Sequence, residues 1–97
     1  MHVFNIPWVL KWPAERGLKE AEQHFRRALS GNPYHMMTRV ALGRALHDQG
    51  KLAEGIAVYE TVHGVDGKLH ELLKINLREA YQQLAEIHQR QWQGIKP

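Results

Sequence analysis

From residue 14 onward, apolar residues recur at intervals of three and four. Leu18, Ala21, Phe25, Ala28 and Leu29 stand at i, i+3, i+7, i+10 and i+11, which places them on one face of a helix. Gly31 follows Ser30 and is expected to supply a left-handed C-terminal residue. Asn32-Pro33 then reads as a start, with an asparagine cap and proline in the first turn. A second helix is predicted from about Pro33 to His47, with Met36, Met37, Val40, Ala41, Ala45 and Leu46 apolar and Gly50 ending it.

Leu52, Ile56, Tyr59 and Val62 define a third helix, from about Leu52 to His63. Gly64-Val65-Asp66-Gly67 reads as a loop whose Asp66 can cap the next element. A long fourth helix is predicted from about Lys68 to Gln93, carrying Leu69, Leu73, Leu77, Ala80, Leu84 and Ile87. No alternating pattern of useful length predicts a strand, so the fold class is all-α. Gln49-Gly50 is short enough to make the second and third helices antiparallel neighbours, and Gly31-Asn32 does the same for the first and second.

Composition narrows the class. Ninety-seven residues make one domain. The chain has no cysteine, which removes disulfides, zinc–thiolate sites and cysteine nucleophiles and leans toward a reducing compartment, so a cytoplasmic location is expected. No apolar run approaches the roughly 20 residues that cross a bilayer. Met1 to Pro13 has no Lys or Arg ahead of its apolar stretch and is interrupted by Pro7, so a signal peptide is not expected. Lys and Arg outnumber Asp and Glu by 13 to 10, but the signs alternate along the helices, as in Lys19-Glu20, Glu22, Arg26-Arg27 and in Glu79, Glu86, Arg90. That is the pattern of solvated faces with i, i+4 pairs. A nucleic-acid footprint calls for a single-sign stripe, so nucleic acid is not an expected partner.

The sequence matches itself when shifted by 34 residues. Leu18 falls on Leu52, Glu20 on Glu54, Ala21 on Gly55, Phe25 on Tyr59, Ala28 on Val62, Asn32 on Asp66 and Pro33 on Gly67. The central unit supplies Leu42-Gly43-x2-Leu46 and Gly55-x3-Tyr59, and the preceding half-unit supplies Ala21-x3-Phe25, Ala28 and Pro33. A 34-residue helix–turn–helix period with large and small residues at these places resembles the tetratricopeptide repeat. Arg39 stands where that family has Trp, and Gly67 where it has Pro. Gly43, Ala21 and Gly55 are small where paired helices approach closely, and a helix-interior glycine otherwise costs about 1 kcal/mol.

The resemblance implies a short tetratricopeptide-like α-solenoid of antiparallel helical hairpins with a long C-terminal capping helix. Residues 1–97 form one domain: 1–13 a degenerate first helix or strap, 14–33 a half-repeat, 34–67 the central repeat, 68–97 the terminal helix and tail. In such solenoids the first helix of each repeat lines the concave face. The expected partner-binding groove is therefore Met37, Val40, Arg44 and His47, with Lys74 and Arg78 from the fourth helix. Some members of the family hold acidic C-terminal tails with Lys, Asn and Arg on this face; here Lys74, Asn76 and Arg78 are such residues, while Val40 and Ala41 are apolar where polar groups are wanted.

The expected function is a non-enzymatic interaction module, an adaptor or assembly factor that takes a peptide or helix of a protein partner. Two other readings stand beside it. Trp8 and Trp12, apolar aromatics near one end of a small domain, are candidates for a self-association surface in a structural homodimer. A basic RNA-associated accessory protein is the other. No cofactor, metal or catalytic residue is expected. The histidines, including His24, His35, His47, His63, His70 and His88, match no zinc spacing and read as polar surface residues. No phosphate-loop, dinucleotide or nucleophile-elbow motif occurs.

Overall fold

The computed structural model describes the backbone of residues 14–95, and among them the chain is all-helical with no strand. Residues 1–13, which hold the expected first helix or strap and both Trp8 and Trp12, lie outside the described residues, as do 96 and 97. Among the described residues four helices follow one another: α1 Ala14–Gly31, α2 Met36–Asp48, α3 Leu52–Tyr59 and α4 Gly67–Ile95.

The apolar periodicity places α1 well, but Gly31 is the last helical residue and not a left-handed cap. Asn32 N donates to Ala28 O at 3.1 Å and continues the ladder. Pro33 and Tyr34 make the turn instead, and α2 begins three residues later than Asn32-Pro33 predicts. His35 is its N-cap: Thr38 N donates to His35 Nδ1 at 3.3 Å. Arg39 Nε donates to Pro33 O at 2.9 Å and fixes the turn from inside the new helix.

The second turn follows expectation. Gly50 has φ 84°, a left-handed value that suits glycine, and Gly50 N donates to His47 O at 2.9 Å. Helix α3 ends four residues before the predicted His63. Thr61 Oγ1 donates to Val58 O at 2.6 Å, and Arg39 Nη1 takes Thr61 O at 3.1 Å. These bonds compete with the helical ladder and tighten it to i→i−3 bonds, Thr61 N to Val58 O and Val62 N to Tyr59 O, each 3.0 Å. Val62 still reaches the core. Gly64 and Gly67 are left-handed at φ 69° and 58°, and His70 N donates to Asp66 O at the start of α4.

One apolar cluster joins Val40, Ile56, Tyr59, Val62, Leu73 and Ala80, with Met36, Leu69, Leu72, Leu77 and Leu84 packed against it. Helix α3 runs antiparallel to α2: Gly43 faces Tyr59, and Gly55 faces His47. Helix α4 runs parallel to α2, since Arg44 reaches Asn76 and Glu79 while His47, one turn on, reaches Gln83. Helix α1 packs on α2. Glu22 of α1 accepts from Gln49 Nε2 (2.9 Å), Lys51 Nζ (3.2 Å) and Arg26 Nε (2.8 Å), locking α1 to the α2–α3 turn.

Candidate functional site: the face shared by α2 and α4

Helix α2 presents Met37, Ala41, Arg44 and Asp48 at i, i+4, i+7 and i+11. Helix α4 presents Leu72, Ile75 and Glu79 at i, i+3 and i+7. The two stripes meet where Arg44 Nη1 donates to Glu79 Oε1 at 2.8 Å. The same guanidinium donates to Asn76 Oδ1 at 3.1 Å, and its Nε to Asp48 Oδ2 at 3.2 Å. Asn76 is 2% exposed. Burial opposes the charge on Arg44, and the bonds to Glu79 and Asp48 more than restore it, so its pKa stands above the ordinary arginine value.

The expected groove set separates into three groups. Met37 is open to solvent at 61% exposure, and Arg44 keeps a quarter of its side chain in water. Val40 and His47 are buried at 2% and 4%, covered by α3 and α4. A partner on this face meets neither. Lys74 and Arg78 are exposed, but each sits two positions from Asn76, so helical geometry turns them away from α2. They do not join Arg44.

His47 also departs from the surface reading. Its Nε2 lies 2.8 Å from Gln83 Oε1 and its Nδ1 3.4 Å from the Tyr59 hydroxyl. The tautomer protonated on Nε2 serves both partners, donating to Gln83 and accepting from Tyr59. Burial pushes the Tyr59 phenol above its ordinary pKa. At the rim, Tyr81 donates to Glu60, and that bond raises the Tyr81 pKa.

Glu79, Gln83 and Glu22 were invisible as partners in the sequence. Nothing local marks a surface glutamate of α4 as the counter-ion of Arg44; only the α2–α4 register does. Exposed apolar side chains on the described surface include Tyr34, Met37, Ile75 and Trp92. Among the described residues no three of His, Asp and Glu gather as a metal site, and no helix is long and apolar enough to cross a membrane.

No protein-family model, curated protein or solved structure matches this chain.

Proposed function

We propose that this chain is a non-enzymatic protein-interaction module of tetratricopeptide type, an adaptor or assembly factor whose α2–α4 face receives a peptide or helix of a protein partner. The observation that carries this reading is the parallel pairing of α2 and α4 with the antiparallel α3 between α2 and the next unit. The side-chain bonds across that pair link residues 32, 35 and 36 apart. They bracket the 34-residue period, as equivalent positions on successive repeats do. Gly43 and Gly55, small at the predicted places, sit at the α2–α3 contact.

The polar interior supports a structural role. Glu22, His47 and Asn76, the buried polar residues among those described, each bond to other side chains of the fold. The outward face of α4, with Lys74 and Arg78, has the polar character a closing helix needs.

A photo-crosslinking amino acid in place of Met37, compared with one at exposed Ala53 on α3, tests the reading in the cells that express the protein. A discrete adduct at position 37 and none at 53 is expected. No adduct at 37, or equal adducts at both, counts against the module.

A further inference from the structure

The sign of the charge on this face is opposite to the one the sequence suggests. Arg44 is the cation of the α2 stripe, but it is committed within the fold to two carboxylates, Asp48 and Glu79. One guanidinium offsets one of them. Glu79 leaves 43% of its side chain in water, Asp48 23%. Asp48 is also the last residue of α2, where the helix dipole places partial negative charge and favours a cation. The C-terminal end of the face therefore carries excess negative charge in a chain that is basic as a whole.

The other end is apolar. Met37 is 61% exposed and Ile75 41%, with half-buried Leu72 in the same α4 stripe. Because α2 and α4 are parallel, the apolar residues gather toward the N-terminal part of both helices, and the carboxylates lie further along, Asp48 at the end of α2 and Glu79 near the middle of α4. A free acidic tail would meet Glu79 and Asp48 first.

We propose that the α2–α4 face binds an amphipathic basic peptide, its apolar side chains on Met37, Leu72 and Ile75 and a lysine or arginine against Glu79 and Asp48. This rests on the interaction-module reading above and gives its partner a basic character. Apolar contact supplies the affinity, and the charge pairing sets the sign of the partner and the salt dependence.

The test uses the full chain and two synthetic helical peptides with the same leucine face, one with lysines and one with glutamates at the polar positions. Fluorescence anisotropy is expected to show the lysine peptide binding at least about tenfold tighter at low salt, with the ratio shrinking at high salt. Glu79→Gln, which keeps an acceptor for Arg44, is expected to lower lysine-peptide affinity severalfold with circular dichroism unchanged. Met37→Glu is expected to remove apolar contact and weaken the glutamate peptide's binding. Equal or tighter binding of the glutamate peptide, sensitive to Met37→Glu, overturns the basic partner and leaves the module standing. Binding of neither peptide overturns both. Two further results overturn the proposal by naming another occupant: a shift from dimer to monomer in sedimentation on Met37→Glu, which assigns the face to a second copy, or a crosslink from position 37 to residues 1–13 of the same chain.

Discussion

Gly43 of α2 lies against the ring of Tyr59 on α3, so close that a β-carbon at 43 would clash with the ring's Cδ1 and Cε1. Tyr59 is wholly buried, and its hydroxyl is already placed against His47. The ring has nowhere to go. Gly43→Ala gains about 1 kcal/mol of helix propensity and loses more to overpacking, about 1–3 kcal/mol for a misfitted core group. A lower melting temperature is expected, and a larger fall for Gly43→Leu. An unchanged melt would mean that α3 does not lie on this face of α2.

The other helical glycines order themselves by what surrounds them. A β-carbon on Gly55 would stand 3.0 Å from Gly43 O and 3.2 Å from His47 N, both backbone atoms, so α2 and α3 must move apart to admit it. A β-carbon on Gly31 would meet nothing within 4 Å beyond its own helix, and the φ there is not left-handed. Gly55→Ala is expected to destabilise, and Gly31→Ala to stabilise by about 0.4–1 kcal/mol through the unfolded chain. Urea titrations of the two variants check the order; the reverse order would disprove the α2–α3 packing.

Glu22 makes stability depend on acid. Burial alone would raise its pKa, but the donors from Gln49, Arg26 and Lys51 outweigh burial and hold it at about 2, against an ordinary 4.5. A depressed carboxylate stabilises the fold fully above its unfolded pKa. That contribution is lost as pH falls from about 4.5 toward 2, and it amounts to about 2–3 kcal/mol. Glu22→Gln is expected to be less stable at pH 7 and to converge on the wild type near pH 2. The measurement is the difference between the two denaturation curves across that window; a constant offset would show that Glu22 does not titrate with folding.

Arg44→Glu is expected to disturb the fold as well as the surface. It removes the donor to Asn76, which is buried, and sets a third carboxylate beside Asp48 and Glu79. A loss of about 2–3 kcal/mol is expected, below the 3–5 kcal/mol of a fully buried pair because a quarter of the side chain is in water. In the double variant Arg44→Glu, Glu79→Arg part of the loss is expected to return. Calorimetry of the four proteins in the cycle gives the coupling, and a coupling of zero would remove Arg44–Glu79 from the account of how α4 is held.

Helix existence was legible because it rests on local regularities. The spacing of Leu18, Ala21 and Phe25 determines α1, and Leu52, Ile56 and Tyr59 determine α3. Gly50 determines the turn between α2 and α3, because only a left-handed residue closes it so tightly. The 34-residue self-match picked out Gly55 and Tyr59, and the resemblance to the repeat pattern picked out Gly43, before any contact was known, since small and large residues must alternate where helices meet.

Helix ends were less legible. His35 displaced Asn32 as the cap of α2, and Thr61 with Arg39 stopped α3 early, because several side chains competed for the same backbone groups. The face between α2 and α4 was not legible at all. Val40 and His47 read as groove residues from their spacing, yet α3 and α4 bury them. Lys74 and Arg78 read as partners of Arg44, yet a rotation of α4 gives that place to Asn76 and Glu79. The sequence by itself determined which segments are helical and where they can approach closely, through periodicities that each helix carries alone. Only the tertiary structure decided the rotation of α4 about its axis and its register along α2, because these follow from the packing of Leu73 and Ala80 into the α2–α3 core, and with them it decided that Arg44 is neutralised within the fold.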